Sequence, residues 1–329
     1  MNMRFSFNHN DKDNRLKMIV DKPPAPVTKL PDLQIVKLYE PQTENTGEVK
    51  NGNKKLDEIL NELNSLVGLD SVKKLILEIR AYVEIQKKRK AENLLAEPMS
   101  LHMIYRGNPG SGKTTVARIV GSLLKEMGIL EKGHLIEVER ADLVGEYIGH
   151  TAHKTRQQIK KALGGILFID EAYSLARGGE KDFGKEAIDT MVKNMEENKD
   201  NLIIILAGYK QEMIRFLETN PGLRSRFPIH IDFPDYSTAE LSAIAEIMLA
   251  KRQYQFTPEA AERLREHLEN SLYNRHEHSG NARFVRNVVE KAIRRQALRL
   301  VELTQVSREE LITVNEDDLA AAIKEYNEC

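Results

Sequence analysis

The amino-acid sequence predicts an α/β fold, with three layers around a mostly parallel sheet, followed by a small all-helical domain. Apolar runs of strand length alternate with amphipathic helical stretches, a pattern typical of a parallel sheet covered by helices. After Pro234 no further strand-like run follows. The strand-like runs are 101–105, 134–138, 165–169, 202–207 and 229–233, and helical stretches near 114–127, 151–163 and 184–197 lie between the first four.

The N-terminal segment, residues 1–54, is predicted to be a largely irregular extension or tether. Five prolines interrupt it, and it has few bulky apolar residues with which to form a core. Only residues 33–39 have the apolar character of a short strand or a docking peptide. Helical patterning begins near Leu56 and continues in a second helix over 71–90. We therefore begin the α/β domain at this point and assign it residues 55–236.

The C-terminal domain, residues 237–329, is predicted to be a small bundle of helices. Ser237 and Glu240 have the spacing of a capping box, in which each residue's side chain binds the other's backbone N–H at a helix start. The other helix signals are an N-cap and N1 pair at Thr257 and Pro258, a helical stretch over 282–301, and a candidate cap at Asn315.

The composition constrains the compartment and the partner. The 329 residues carry a net charge of −1, so no basic excess favours nucleic acid or an anionic membrane. The single cysteine, Cys329, cannot form an internal disulfide, which suits a reducing compartment. The polar N-terminus lacks the apolar core of a signal peptide, and the longest apolar run is too short to span a bilayer. We expect a cytoplasmic protein without a membrane or nucleic-acid partner.

Residues 107–114, with the sequence GNPGSGKT, fit the pattern of the loop that cradles nucleotide phosphates. Glycines allow backbone N–H groups to turn inward and approach an anion closely. Lys113 is expected to reach the β- and γ-phosphates of ATP, and Thr114 to place its hydroxyl on Mg²⁺. A predicted strand before the loop and a helix after it supply the context that the motif requires. The residues predicted to bind the nucleotide here are Asn108, Pro109, Gly110, Ser111, Gly112, Lys113, Thr114 and Thr115.

Two carboxylates, Asp170 and Glu171, follow the apolar run 165–169. If this strand lies beside the strand that leads into the phosphate loop, Asp170 can hold Mg²⁺ through water. Glu171 can then orient or deprotonate the attacking water. An acid pair at a strand end is by itself also an ordinary surface feature. The phosphate loop upstream in the same α/β pattern favours the catalytic interpretation.

On these residues and on several further motifs, the sequence resembles the AAA+ ATPases over roughly residues 56–329. Within them it is similar to the group that contains the red-type Rubisco activases and stage V sporulation protein K, the latter being the closer match. The resemblance implies a sheet with strand order 5-1-4-3-2 and a helical lid packed over the nucleotide. The motifs that carry it are LVGLD at 66–70, GEYIGH at 145–150, LFIDEAY at 167–173, LAGY at 206–209 and NPGLRSRF at 220–227.

The resemblance implies how one subunit contacts the base and the γ-phosphate of ATP. Val67, Gly68 and Leu69 match the segment that lines the adenine pocket. Arg283 matches the second sensor, which contacts the γ-phosphate and couples its loss to rotation of the lid. Tyr209 stands where most AAA+ proteins carry a polar first sensor, often Asn. Either its hydroxyl takes that role or the role lies elsewhere.

Arg224 and Arg226 match the position of arginine fingers. A finger from a neighbouring subunit neutralises charge that develops on the γ-phosphate. Arg226 is favoured because a Phe-Pro pair follows it, as it follows the finger of related unfoldases. Without the resemblance, the same residues describe a solvated basic turn.

Tyr147, Ile148 and Gly149 match an aromatic–hydrophobic–Gly loop that faces the central pore of ring-forming unfoldases. In that role the aromatic ring grips an extended polypeptide without reading its sequence. The residues alone favour a half-buried aromatic side chain in a βα loop, so the pore role rests on the resemblance. Residues 177–184 are polar and rich in glycine, and they are the candidate for a second pore loop.

A finger supplied in trans requires a head-to-tail interface, which closes into a ring when the rotation allows it. The resemblance implies a homo-hexamer that uses ATP to remodel an unknown protein client, in bacterial spore formation. The alternatives are a Rubisco-activase-type remodeller, a DNA-acting loader, and a scaffold that assembles on ATP but hardly hydrolyses it. The DNA-acting alternative depends on four lid arginines that otherwise form a solvated face or subunit contacts, namely Arg286, Arg294, Arg295 and Arg299.

Overall fold

The structure is a computed structural model that describes residues 49–96, 100–147, 149–178, 182–273 and 280–327. Most of the predicted tether, the pore-loop residue Ile148, the middle of the second candidate pore loop and Cys329 lie outside these residues.

The described core is built on one sheet of five parallel strands in the spatial order β2-β3-β4-β1-β5. This is the predicted order counted from the opposite edge, so the predicted fold class and strand order are confirmed. The strands of β1, β3 and β4 are almost continuously apolar, as expected when helices cover both faces of a sheet. The strands are β1 (Met103–Arg106), β2 (Leu135–Val138), β3 (Ile166–Ile169), β4 (Ile203–Gly208) and β5 (Ile229–Asp232).

The sheet and the helices on its two faces form three layers, and an apolar cluster fills the space on each face of the sheet. Side chains alternate between the faces of a strand, and in β1 Met103 and Tyr105 join one cluster while Ile104 joins the other. The helices of this part are α1 (Val49–Ser65), α2 (Asp70–Ala91), α3 (Lys113–Glu126), α4 (Arg140–Leu143), α5 (His150–Ala162), α6 (Gly184–Glu197), α7 (Lys210–Thr219) and α8 (Pro221–Arg226), with a 3₁₀ helix at Ala172–Ala176.

Helix α1 begins at Val49, earlier than Leu56, where the apolar periodicity starts. Its first turns are not predicted because residues 50–55 are polar or glycine and give no helical pattern of apolar residues. The short helices α4 and α8 are too brief to show a periodicity and are not predicted. None of the described helices combines the length and apolar content that a membrane span needs.

The C-terminal part of the described chain is helical, and its predicted caps are confirmed. The Ser237 and Glu240 box opens the first lid helix, and the hydroxyl of Thr257 accepts a hydrogen bond from Ala260 N at 3.2 Å. Asn315 Oδ1 accepts from Asp318 N at 2.9 Å. The elements are α9 (Thr238–Ala250), β6 (Gln255–Phe256), α10 (Pro258–Tyr273), α11 (Asn281–Val301), α12 (Arg308–Ile312), β7 (Thr313–Val314) and α13 (Glu316–Asn327).

One feature of the lid is not predicted, a two-residue parallel pairing of β6 with β7. Strand β7 follows directly after the short helix α12. The side chain of Gln296, which is 2% exposed, explains this pairing. Its amide nitrogen donates to the carbonyl oxygens of Glu310, Leu311 and Thr313 at 2.8, 3.2 and 2.9 Å. A single buried amide therefore holds the segment that carries α12 and β7 against α11.

Two of the four lid arginines bind within the lid, where the sequence suggests a solvated face or subunit contacts. Arg299 donates to both carboxylate oxygens of the buried Asp318, at 3.1 and 2.9 Å. Arg295 donates to Glu325 at 2.7 Å. These pairs join α11 to α13, and they remove half of the basic surface on which the DNA-acting alternative depends.

Candidate nucleotide-binding site

Three neighbouring strands deliver the candidate residues to one edge of the sheet. The phosphate loop follows β1, Asp170 follows β3 and Tyr209 follows β4, and β4 lies between the other two strands. Because the strands are parallel, their carboxyl ends meet at the same edge, where α/β folds bind ligands.

The phosphate loop depends on two glycines with left-handed backbone conformation, Gly110 with φ 74° and Gly112 with φ 95°. Gly112 is the N-cap of α3, and no side chain caps this helix. The first N–H groups of α3 therefore remain available to phosphate oxygens, with the positive end of the helix dipole behind them. This conformation is the one that the GNPGSGKT motif predicts.

Lys113 lies inside the loop. Its ammonium group donates to the carbonyl oxygens of Gly107 and Asn108, both at 2.8 Å. Burial lowers the pKa of Lys113, the negative charge of Asp170 opposes that change, and the positive charge of Arg283 adds to it. The predicted loop lysine, metal-binding carboxylate and second-sensor arginine are therefore close enough to interact electrostatically.

The acid pair at the end of β3 has a specific geometry. Asp170 Oδ1 accepts a hydrogen bond from Glu171 N at 2.9 Å. Glu171 itself is exposed and has a left-handed backbone, with φ 45° and ψ 43°. Such a conformation costs a non-glycine residue about 1–3 kcal/mol and occurs most often at functional sites. The chain therefore turns at Glu171, between Asp170 at the end of β3 and the 3₁₀ helix.

Glu137 is a third carboxylate at this edge, and the sequence analysis misses it. Thr114 donates its hydroxyl hydrogen to Glu137 Oε1 at 3.4 Å, and Arg118 lies at 3.4 Å from the other oxygen. No group of three or more His, Cys or acidic side chains in the described part of the chain is arranged for a metal ion. Magnesium usually takes one or two protein carboxylates together with substrate phosphates and waters. Thr114 and Asp170 fit that requirement, and Glu137 adds negative charge beside them.

The predicted adenine segment lies against the phosphate loop. Gly68 and Leu69 both have left-handed backbone, with φ 60° and 58°. A Cβ atom at Gly112 would lie 3.4 Å from Leu69 Cδ1 and 3.1 Å from the Tyr236 hydroxyl. A Cβ atom at Gly68 would lie 2.0 Å from the carboxylate of Glu240, so a larger residue would displace that side chain and would also be strained by the left-handed backbone. The segment, the loop and the start of the lid are thus direct neighbours.

The two candidate fingers lie on α8, and neither makes a hydrogen bond or ion pair with residues 107–115 in the described part of the chain. Arg226 donates to Glu196 Oε1 through Nε at 3.0 Å and Nη2 at 2.6 Å, and its Nη1 donates to Gly222 O at 2.9 Å. The Arg224 side chain is exposed. The structure therefore does not bring these arginines into the loop of their own subunit, and Glu196 is a partner that the sequence analysis misses.

Tyr209 follows β4 and is half-buried beside Tyr173, with ring centroids 6.1 Å apart. A Cβ atom at Gly208 would lie 2.7 Å from the Tyr173 ring, so this ring packs directly on the end of β4. Burial raises the pKa of Tyr173 to about 12, and the nearby Glu171 carboxylate adds to that change. Tyr173 therefore lies between the acid pair and Tyr209, a position that the sequence analysis does not assign to it.

The candidate pore residue Tyr147 is 66% exposed, and its ring contacts His150 edge-on at 5.3 Å between centroids. Gly149, with φ 80°, is the N-cap of α5. The start of the preceding helix α4 is bound to the second candidate pore loop, because Arg140 donates to Asp182 Oδ1 at 2.5 Å and to Ser174 O at 2.6 Å. Helix α4, which precedes the loop that carries Tyr147, is therefore bound to the second candidate pore loop.

Comparison with known proteins assigns the family. The profile of the ATPase family associated with various cellular activities (AAA) matches residues 103–235, and that of the AAA lid domain matches residues 237–328. The chain belongs to the AAA ATPase family. It is therefore an ATP-hydrolysing enzyme that binds nucleotide, and the predicted resemblance is confirmed.

Curated relatives place the chain within a group. Stage V sporulation protein K of Bacillus subtilis is 57% identical over 80% of this chain and 83% of its own length. Protein CbbX of Cereibacter sphaeroides is 46% identical, with 80% and 86% covered. The chloroplastic ribulose bisphosphate carboxylase/oxygenase activase of Cyanidioschyzon merolae is 45% identical, with 80% and 91% covered.

Solved structures agree with the fold. The AAA domain of FIGL-1 in complex with ADP has a TM-score of 0.54 at 19% identity, covering 79% of this chain and 82% of that chain. The Holliday junction branch migration motor RuvB of Thermotoga maritima has a TM-score of 0.52 at 19% identity, covering 80% and 72%. At this identity the likeness concerns the fold alone.

The environment of Lys113 predicts the effect of removing its charge. We expect Lys113→Ala to weaken ATP binding by roughly 100-fold, because losing charge-assisted hydrogen bonds to phosphates costs about 3 kcal/mol. Titration calorimetry with ATP measures the effect. Lys125→Ala, at the opposite end of α3, is the matched control and should bind ATP as the wild type does. Unchanged ATP affinity in Lys113→Ala would contradict the site.

Proposed function

We propose that the chain hydrolyses ATP in a hexameric ring of identical subunits and uses the cycle to remodel a protein partner during bacterial spore formation. The similarity to stage V sporulation protein K, greater than the similarity to the CbbX and activase relatives, supports the spore role. The observation that supports a shared site is the position of Arg224 and Arg226, which do not bind the phosphate loop of their own chain. The domain boundaries at 54 and 236 and the cytoplasmic location remain predictions.

Within one subunit, residues 107–115 bind the phosphates and Val67, Gly68 and Leu69 line the space for the base. Thr114 and Asp170 would hold Mg²⁺, Asp170 through water, and the ion would supply neutralising charge for the β- and γ-phosphates.

Residues around the γ-phosphate carry out the catalytic steps. Glu171, held outward by its left-handed backbone, orients the attacking water and accepts its proton. Lys113 and Arg283 stabilise the negative charge on the γ-phosphate in the transition state. Tyr209, beside Tyr173, is the candidate sensor, and its position changes when the γ-phosphate is lost.

A neighbouring subunit supplies Arg226 to the γ-phosphate. In the isolated subunit Arg226 is paired with Glu196, whose side chain is 64% exposed. Exposed ion pairs of this kind contribute only about 0–1 kcal/mol, so a γ-phosphate in a water-poor interface is the stronger partner. Assembly therefore exchanges a weak surface pair for a catalytic contact.

Mixed assemblies test whether Arg226 acts in trans. We expect Lys113→Ala and Arg226→Ala rings each to lack ATPase activity, and an equal mixture to recover a fraction of the wild-type rate. Random mixing pairs an intact loop with an intact Arg226 at roughly a quarter of the interfaces. Phosphate release after mixing measures the recovery. If light scattering shows that the two variants assemble together, a mixture as inactive as both parents would contradict a role for Arg226 in a neighbouring subunit's site.

Substrate engagement is assigned to the exposed ring of Tyr147. An aromatic side chain on a glycine-flanked loop can pack against any extended polypeptide, which suits a machine that pulls on a client without reading its sequence. The hydrogen bonds of Arg140 with Asp182 and Ser174 tie helix α4, which precedes this loop, to the segment that follows Glu171. Changes at the acid pair can thereby reach both candidate pore loops.

A Rubisco-activase-type remodeller is the second candidate, favoured by the relatives that are 45–46% identical. Both candidates share the ATPase cycle and the pore, and they differ only in the client. Reactivation of an inhibited ribulose bisphosphate carboxylase by the wild-type protein would favour this candidate over the spore role.

Complementation tests the spore role and the pore together. In a Bacillus subtilis strain that lacks its stage V sporulation protein K and is impaired in spore formation, we expect the wild-type chain to restore heat-resistant spores. Tyr147→Ala should fail to restore them while keeping basal ATPase activity, because the client grip is lost and the nucleotide site is not. Tyr147→Phe, which keeps the ring, is the matched control. Spores restored equally by Tyr147→Ala would contradict the pore assignment.

A further inference from the structure

The segment that joins the sheet to the lid runs along the phosphate loop. It contributes Asp235, whose two carboxylate oxygens accept hydrogen bonds from Asn108 Nδ2 at 3.0 and 2.9 Å. The next residue, Tyr236, donates its hydroxyl hydrogen to Ser111 O at 3.3 Å. The joining segment therefore binds the loop at two places, the side chain of Asn108 and the carbonyl group of Ser111.

Asn281 makes the same connection from the lid side. It is the first residue of α11, two positions before Arg283, and it is 3% exposed. Its amide nitrogen donates to Asp235 Oδ1 at 2.8 Å and to Pro109 O at 3.4 Å, and its oxygen accepts from Tyr236 N at 3.1 Å. The hydrogen bonds of this buried amide are thus made to the loop and to the joining segment.

The backbone of Asn281 is left-handed, with φ 46°. Glycine adopts this conformation at no steric cost, whereas other residues are strained in it. What the asparagine adds over glycine is its side-chain amide, and that amide is what reaches Asp235. A turn alone would therefore not require this side chain.

The loop and the start of α11 are also in direct backbone contact. Ala282 N donates to Gly110 O at 3.3 Å. A Cβ atom at Gly110 would lie 2.5 Å from Gly280 O and 2.7 Å from Arg283 N. No side chain fits between the two segments, so a movement of one displaces the other.

We propose that Asp235 and Asn281 are positioning residues that tie the phosphate loop to α11, so that the conformation of the loop and the placement of Arg283 are set together. This proposal rests on the proposed nucleotide site. It adds the side-chain contacts through which the phosphate loop and the lid move together. Asp235 also contributes negative charge near Lys113, so its carboxylate acts on the loop both through Asn108 and electrostatically. Without these contacts, both the phosphate loop and the start of α11 become more mobile, and ADP is released faster.

An exchange of donor and acceptor tests the tie. Asn281→Asp alone sets two carboxylates against each other at a contact of 2.8 Å in the wild type. Adding Asp235→Asn restores a donor at 235 facing an acceptor at 281, while the carboxylate at 281 still accepts from Tyr236 N. Asn281→Gly is the matched control for the backbone, since it suits the left-handed turn and lacks the amide.

The readouts are dissociation of a fluorescent ADP analogue and hydrogen exchange of peptides covering 107–116 and 281–290 without nucleotide. We expect Asn281→Asp and Asn281→Gly to release ADP about 10-fold faster, the usual loss for one charge-assisted hydrogen bond. Both peptides should exchange faster together. The double variant should return to within about threefold of the wild type, as expected for two coupled residues.

Several outcomes separate the hypotheses. Wild-type release and exchange in Asn281→Gly would overturn the tie and leave Asn281 as a turn residue. A double variant no better than Asn281→Asp would also overturn it, because a structural defect is not rescued by its partner. If Asn281→Asp does not fold, Asn281→Gly and Asp235→Asn carry the comparison. A wild type that binds no ADP would refute the nucleotide site itself, while the hydrogen-exchange comparison would still decide the tie.

Discussion

The two left-handed glycines of the phosphate loop are the constraint on which the rest of the site depends. Gly112 turns the chain into α3 and leaves the first N–H groups of that helix free for phosphate oxygens. Gly110 has no side chain, and this allows the start of α11 to lie in contact with the loop. Any other residue at either position would be strained, and at Gly110 it would push the lid away.

The sheet order supplies the second requirement, because catalysis needs groups from distant parts of the chain at one edge. Strand β4 lies between β1, which leads into the loop, and β3, which leads into the acid pair. Each of these two strands lies about 5 Å from β4. Tyr173 then packs on Gly208 at the end of β4, so the residue that follows the acid pair is fixed beside the candidate sensor Tyr209. The arginines of α8 make no described contact with the phosphate loop, and Arg226 binds Glu196 instead.

Much of this arrangement could be predicted from the sequence, because its determinants are local. Alternating apolar runs revealed the five strands, the GNPGSGKT run revealed the loop, and the capping pairs located the lid helices. The strand order came from the resemblance to a family, since hydrophobic periodicity does not say which strands are neighbours.

The residues that the sequence analysis misses are those whose role comes from long-range side-chain contacts. Glu137 beside Thr114, Glu196 beside Arg226, and Asp235 beside Asn281 are separated by tens of positions along the chain. A single carboxylate or amide at such a distance leaves no periodic pattern. The β6–β7 pair is missed for a related reason, because it depends on a distant partner, the buried amide of Gln296.

The mass of the protein in solution tests most directly the claim that the active site is completed between subunits. Light scattering with ATP and Mg²⁺ would compare the wild type with Glu171→Gln, which is expected to bind ATP without turning it over. We expect a nucleotide-dependent shift to a hexamer that persists in Glu171→Gln. A single-subunit mass under every condition would contradict it, because Arg226 and the pore loops would then have no neighbour on which to act.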